Sequence, residues 1–419
     1  MADIKPFNAF FYNKRIIEDL GNVITQPYDE ITQEMEEEYR RRSPYSIVRI
    51  IKGDFREAGR LLDDWIEKGI FVQDKKPCIY AYDRVYSLDG ERKVQGGFIA
   101  LGKLSPYSIN GVRPHEKTFL EPIRVKFNLL KSTNAHFGQV FMLYRDERML
   151  AESLFETFKQ NSPVIEVEDW YGNIHKVWRI SDEKVISQVQ KLMIEKPLLI
   201  ADGHHRYEAA LQYAKSKNFF ALQSYRMMTF VNVSNEKNIT ILPAYRLVET
   251  NHKKGFFIKQ LSVFFNLWKR PIEDVKNNFY PAEFGFYFGG NYYFAMKMKD
   301  RKILETLLKE LPPFYRNLNA VVLHEFIFPI LKINKPVSYE GNLERAIKEV
   351  DESKKVLFIM KPASIREIEH VAENGVLMPQ KSTNFYPKLL TGLAIHRIEM
   401  LQKEPYGEKK ILFDRENCS

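Results

Sequence analysis

Residues 197–215 read PLLIADGHHRYEAALQYAK, and no other stretch constrains the fold as tightly. Pro197 to Ala201 is a short apolar run of strand length, and Tyr207, Ala210, Leu211 and Ala214 recur at helical spacing, so the pattern predicts strand, sharp turn, helix. Asp202-Gly203 is the turn: Asp is a favoured N-cap, Gly lets backbone approach a ligand closely, and the next few N–H groups have no partner inside the helix. A helix start of this kind attracts anions. His204 and His205 are sequence neighbours, which diverge by about 100° around a helix, so they are poor joint ligands for one metal. An arbitrary His-His pair is most simply one core residue and one exposed cap. With Arg206 on the same helix start, the histidine donors, a guanidinium fork and free amides all suit phosphate oxygens, and a phosphate or nucleotide cradle is the favoured reading.

The chain has 419 residues, too many for one ordinary core, which predicts two or three structural units. Its 63 basic and 54 acidic residues are interleaved along the length, so most of the formal +9 charge is a solvated surface and not a nucleic-acid patch. The run from Glu36 to Arg42, EEEYRRR, illustrates this, because each Glu stands four residues before an Arg and three helix ion pairs satisfy the basic triplet locally. Only Cys78 and Cys418 occur, outside any metal-ligand spacing, which suits a reducing compartment and excludes a disulfide framework. No signal-type apolar core opens the chain, and no run of about 18 apolar residues could span a membrane, so a cytoplasmic location is expected.

Residues 54–69 are expected to form an amphipathic helix ended by Gly69. Two hairpins are expected, one turning at Asp89-Gly90 and one at Gly289-Gly290-Asn291. The segments SYRMMTFVNVS, ITILPAYRLV and KKVLFIM read as further strands, the last followed by a capping box, Ser364 to Glu367, that starts a helix ended by Gly375. The mixture of hairpins and strand-to-helix units predicts an α/β or α+β fold with mixed sheets. Soft boundaries divide the chain into regions 1–110, 111–250 and 251–419.

Several near misses are set aside. No Gly-x-Gly-x-x-Gly occurs. GVLMPQKST (375–383) has Gln380 where a P-loop needs its second glycine, and its first Gly closes a helix. His115-Glu116 and His324-Glu325 begin like a zinc-protease motif, but Phe119 and Phe328 stand where the second His is required. Two polar clusters in apolar settings remain. NGVRPHEKTF holds Arg113, His115, Glu116 and Lys117 in a loop that is either a solvated connection or a carrier of catalytic groups. LMPQKSTNFYPKLLTGL holds Lys381, Ser382, Thr383 and Lys388, either an anion site or a polar turn.

Together QPYDEI (26–31), SPYSIVRI (43–50), PHEKT (114–118), ADGHHRYEAAL (201–211) and MPQKSTNFYPKLLTGL (378–393) resemble the bacterial and archaeal family named domain of unknown function 1015, in order and over nearly the whole chain. One departure is Ala244-Tyr245-Arg246, where many members have a His before that Arg. That family is more remotely similar to the superfamily of ParB partition proteins, sulfiredoxins and free-serine kinases, which implies a ParB/sulfiredoxin-like core, carrying the DGHHR element in 111–250, plus additional α/β segments. By that resemblance Gly203, His205 and Arg206 would hold phosphate. His204 stands where sulfiredoxins have their catalytic Cys, so sulfinic-acid reduction is not expected. The serine kinases use an early glutamate as base, and Glu116 is the matching candidate.

The expected function is therefore an ATP- or ADP-dependent phosphotransferase with Mg²⁺, acting on a small hydroxyl metabolite, free L-serine first. Glu116, Asp202 and His115 are the catalytic candidates, with Asp202 also the magnesium ligand. Gly203, His204, His205, Arg206, Lys381, Ser382 and Thr383 are the candidates for binding the nucleotide and other anions. Two rival functions use the same cradle: a nucleotide-dependent DNA clamp of ParB type and an NTP hydrolase. No helix-turn-helix with a basic reading helix is found, and nucleic acid is not an expected partner.

Overall fold

The computed structural model describes residues 2–88, 90–217, 224–235, 239–275 and 283–398. Asp89 of the first expected turn and Cys418 lie outside the described residues. The fold is mixed α/β, and the described residues form one nine-stranded and one six-stranded sheet with three two-stranded ribbons.

The larger sheet runs in the order Val112–Arg113, Leu198–Asp202, Val140–Tyr144, Tyr225–Asn232, Glu91–Lys103, Ile79–Leu88, Ile174–Ile180, Ile165–Glu168, with Ile4–Lys5 paired to Glu91–Lys103 off this path. It is mixed: Leu198–Asp202 runs parallel to Val112–Arg113 and antiparallel to Val140–Tyr144, which is itself parallel to Tyr225–Asn232. Both faces are covered, and the period-2 alternation of strand side chains sorts them. Tyr80, Tyr82, Ile99, Leu101, Phe141, Leu199 and Ala201 enter one core. Their neighbours Ile79, Ala81, Phe98, Ala100, Met142, Leu198 and Ile200 enter the other, against the helices Leu150–Lys159, Glu183–Met193 and His204–Ser216. This two-sided burial explains why PLLIA is continuously apolar where a one-sided strand would alternate. Strands from 1–110 and 111–250 thus pair within one sheet.

The six-stranded sheet is antiparallel throughout, in the order Phe265–Pro271, Tyr292–Met298, Phe284–Tyr287, Lys355–Met360, Tyr245–Glu249, Val337–Glu340. Both expected hairpins form. Leu88 pairs with Glu91 across the first turn, where Gly90 has φ 78°, and Gly289 and Gly290 take positive φ at the second. The helix expected at 54–69 is Phe55–Glu67, capped by Asp54, and the capping box forms with both reciprocal bonds between Ser364 and Glu367. The acidic-basic helix Gln33–Arg42 makes two of the three anticipated pairs, Glu36 to Arg40 and Glu38 to Arg42. Arg41 turns to Glu38 as well, at 2.7 Å, while Glu37 accepts a hydrogen bond from Gln33 one turn earlier. Among the described residues no helix is long and apolar enough to cross a membrane.

The C-terminal stretch connects distant parts of the chain. Met378 donates to the His115 carbonyl, Phe385–Tyr386 pairs with Thr240–Ile241, Thr391 bridges Thr25, Ile395 bridges Phe10, and His396–Arg397 pairs with Ala135–His136. This return path brings residues 380–388 beside the end of the Leu198–Asp202 strand.

Candidate functional site

The strand Leu198–Asp202 ends at Gly203, whose φ of 93° belongs to the left-handed region that glycine occupies without a Cβ penalty. The helix His204–Ser216 begins at the next residue, as expected, but Gly203 and not Asp202 is its N-cap, and no side chain caps it. A second detail differs. The Gly203 amide is not free to meet a ligand, because it donates to Asp202 Oδ1 at 2.7 Å. The uncapped helix start at His204 to Arg206 is what remains for an anion.

A cleft of about 290 Å³ opens over this turn, and Asp202, Gly203, His204, His205 and Arg206 line it together with Glu116, Lys381 and Thr383. Residues 265 positions apart thus meet in the 2.8 Å hydrogen bond from the Lys381 amide to Glu116 Oε1. Lys381 itself has φ 55°, unusual for a residue with a side chain, and its carbonyl accepts from the buried Arg246 at 3.1 Å. Its backbone is therefore fixed on both sides, and Glu116 is fixed with it.

His115 and Ser382 do not line the cleft. His115 is fully buried beneath it, joining the Ile200 carbonyl (2.7 Å from Nδ1) to the Thr383 hydroxyl (2.9 Å from Nε2), so it ties the strand of the turn to the C-terminal segment. Burial holds its imidazole down to about 4, and it is neutral at physiological pH. Ser382 is buried and gives its hydroxyl to the Pro379 carbonyl. The two histidines of the DGHHR element also spend one ring nitrogen each on backbone: His204 Nε2 accepts from the His115 amide at 3.4 Å, and His205 Nε2 accepts from the Phe119 amide at 3.1 Å. Accepting there places the proton on Nδ1. Burial lowers the basicity of both rings, with Lys126 adding to the effect at His205.

Four residues complete the charge pattern. Lys126, on the helix Leu120–Thr133, and Lys388, together with Asp29, line the same cleft, and Glu30 lies behind Lys388. Asp202 sits between two cations, 3.7 Å from both Lys388 Nζ and Arg206 Nη2. Burial raises its carboxyl, but Lys388, Arg206, Lys381 and the Gly203 amide together outweigh burial and hold it well below the carboxylate range. Burial lowers Lys388, but Asp202, Glu30 and Asp29 raise it further, so it stays charged. Glu116 goes the other way: burial raises its carboxyl to about 7, against the pull of the Lys381 amide and charge. Lys126 is brought down by burial to about 8 and lies 3.8 Å above the Tyr28 ring. Carboxylates of opposite tendency in one cleft are a signature of acid–base work.

Asp29 and Glu30 lie in QPYDEI, one of the segments that carry the family resemblance, but nothing in the sequence gave their charges a role, and Lys126 carries no motif. Of the described residues, no group of three or more His, Cys, Asp or Glu could hold a metal ion by itself. Burial and the neighbouring Asp202 raise the Asp29 carboxyl, but Arg206, Lys381 and Lys388 together outweigh both and hold it below the ordinary carboxylate value. One or two carboxylates of this kind suit Mg²⁺ when substrate phosphates supply its other oxygens.

The family profile described as protein of unknown function, DUF1015, matches residues 4–321. The chain belongs to that family. No match was found among curated proteins. Among solved structures, the DUF1015 chain is similar to a free serine kinase in complex with AMP, at 12% identity and a TM-score of 0.33, covering 70% of this chain and 88% of that one. It is similar to a conserved hypothetical protein from Pyrococcus furiosus at 12% identity and TM-score 0.32, covering 71% of this chain and 94% of that one. It is also similar to SbnI with a C-terminal truncation from Staphylococcus aureus, at 10% identity and TM-score 0.34, covering 71% and 82% respectively. At such scores no residue role transfers.

Proposed function

We propose that this DUF1015 protein is a phosphotransferase that moves a phosphoryl group from ATP or ADP to the hydroxyl of a small metabolite, free L-serine being the first acceptor to test. The observation that carries the reading is one cleft holding an uncapped helix start, four cations and a carboxyl raised to about 7. Phosphoryl transfer asks a protein mainly for positioning and charge neutralisation, with a base to orient and deprotonate the acceptor.

In this reading the donor's phosphates lie over the start of the His204–Ser216 helix, between Arg206, Lys126, Lys381 and Lys388. Asp202 and Asp29 would hold Mg²⁺, which would supply further charge neutralisation. Glu116 accepts the acceptor hydroxyl's proton. The acceptor oxygen forms the new bond to phosphorus, and the bond to the nucleotide's bridging oxygen breaks with its electron pair leaving on the nucleotide. Near pH 7 a base with a carboxyl at about 7 is partly ionised and strong enough to take the proton, the compromise that general-base efficiency favours. His115 acts as a positioning residue that holds Thr383 and the PQKST segment against the turn. An apolar compartment lined by Tyr28, Val125, Leu129 and Phe137 adjoins the cleft, sharing Lys126 and Arg206 with it, and we assign the nucleobase to that side.

The test is to incubate the protein with ATP or ADP, Mg²⁺ and a panel of hydroxyl acceptors, and to separate products by chromatography. A phosphorylated acceptor supports the reading. Release of inorganic phosphate at the same rate with and without every acceptor would leave a hydrolase.

A further inference from the structure

A second compartment, of about 160 Å³, opens off the same cleft on another side, sharing Asp29, Lys381, Thr383 and Lys388 with it. Its far wall comes from the edge of the six-stranded sheet and the adjacent helix: Tyr339 and Glu340 of the strand Val337–Glu340, and Arg345 of the helix Leu343–Asp351. We propose that this compartment is the acceptor subsite and that it selects a net-neutral zwitterion carrying a hydroxyl, a hydroxy-amino acid, over neutral polyols and anionic hydroxy acids.

Charge and geometry both favour such a ligand. The compartment's ionic groups balance, Asp29, Glu30 and Glu340 against Arg345, Lys381 and Lys388, whereas the central cleft sets four cations, Lys126, Arg206, Lys381 and Lys388, against the carboxylates of Asp29 and Asp202 and the raised carboxyl of Glu116. A dianionic phosphate therefore prefers the centre, and a ligand with no net charge loses nothing by lying to the side. Neither sign is saturated. Lys388 stands 3.6 Å from Glu30 and Lys381 stands 4.0 Å from Asp29, both beyond hydrogen-bond length, which leaves the carboxylates capacity for an ammonium group. Arg345 gives Nη2 to Glu340 at 2.9 Å and also bonds Tyr171, yet 40% of its side chain is exposed, so the five N–H donors of its fork are not exhausted and can meet a carboxylate. Lys381 lines this compartment beside Tyr339 and its amide bonds Glu116 Oε1 at 2.8 Å, which puts the inner end of the compartment beside the base. A zwitterion with its carboxylate on Arg345 and its ammonium toward Glu30 directs a short hydroxyl arm to Glu116.

The subsite assignment rests on the phosphotransferase reading for its name but can fail separately. Binding of L-serine, glycerol and D-glycerate to the full chain is measured by calorimetry, and turnover with each by chromatography, for the wild type and for Arg345→Met and Glu340→Gln. The proposal expects L-serine to bind tightest. Arg345→Met should weaken L-serine, in Kd and in KM, by about 10- to 100-fold, the worth of one hydrogen bond to a charged group, while nucleotide affinity stays unchanged. Equal binding of all three probes, preference for D-glycerate, or an Arg345→Met variant with unchanged L-serine affinity would overturn it. Arg345-dependent L-serine binding without phosphoserine keeps the subsite and discards the kinase. A phosphorylated product whose acceptor KM ignores both substitutions keeps the kinase and discards the subsite.

Discussion

Replacing Glu116 with Gln removes the proposed base and leaves the site's shape, because the amide oxygen can still accept the Lys381 N–H that now lies 2.8 Å from Oε1. Nucleotide affinity should be preserved, while turnover should fall by about 10²–10⁴-fold, the usual worth of a positioned general base. The pH profile sharpens this. With the carboxyl at about 7, wild-type turnover should climb as pH rises through 7, and the residual activity of the variant should not follow that limb. Stability gives a second readout of opposite sign. The folded-state value lies above the ordinary 4.5, so the native chain binds a proton more tightly than the unfolded chain, and Glu116 costs stability as pH rises from about 4.5 to 7. At about 1.36 kcal/mol per pKa unit the full cost is on the order of 3 kcal/mol. Glu116→Gln should therefore gain on the wild type in melting temperature between pH 5 and pH 8, while losing activity. Calorimetric titration with nucleotide, pH–rate profiles and melts at both pH values make the set. Undiminished turnover in the variant, or a loss of nucleotide affinity as large as the loss of rate, would refute the assignment of Glu116 as base.

Three further outcomes are expected. Arg206→Ala should weaken nucleotide binding by about 10-fold or more and lower turnover as well, since a charge-assisted phosphate contact acts in both ground and transition states; calorimetry and kinetics on one preparation separate this from Glu116→Gln. Gly203→Ala should destabilise by about 1–3 kcal/mol, read as a fall in melting temperature, because φ is 93° and the new Cβ would lie 3.0 Å from Arg206 Nε. His115→Phe, which fills the space but leaves the Ile200 carbonyl and Thr383 hydroxyl without their partner, should cost about 1–3 kcal/mol in a denaturation measurement and lower turnover without changing the pH at which turnover rises.

The turn at Asp202 was legible because three local signals coincide there: an apolar run of strand length, an Asp-Gly pair and a helical repeat, each with a short-range cause. The convergence of Glu116 and Lys381 was legible in a weaker way, as polar clusters in apolar settings, which are either solvated or used together. Other features depend on where the chain returns, and no short window contains that. Lys126 belongs to no segment singled out in the sequence, and it reaches the cleft only because the helix Leu120–Thr133 packs against His204–Ser216. Asp29 and Glu30 lie in QPYDEI, and nothing in that segment says which charges they will face. His204 reads as a phosphate donor, but its Nε2 is occupied by a backbone amide and its ring lies edge-on to His115, 4.7 Å between centroids. Arg84, Arg226 and Arg246, fully or almost fully buried and bonded to the carbonyls of Pro387, Gly138 and Lys381, could not be told from surface arginines by spacing alone. Which face a charged strand residue occupies is decided by tertiary packing and not by its neighbours in sequence.

The most direct test of the phosphotransferase account is to follow phosphorus itself. Full-length protein is mixed with Mg²⁺, ATP or ADP and L-serine or another hydroxyl acceptor, and ³¹P NMR records where the transferred phosphorus appears. The account predicts a phosphomonoester of the acceptor formed in step with loss of the donor's terminal phosphate, slowed by about 10²–10⁴-fold in Glu116→Gln. Phosphorus appearing only as inorganic phosphate with every acceptor, or ester formation that is indifferent to Glu116→Gln, would contradict it.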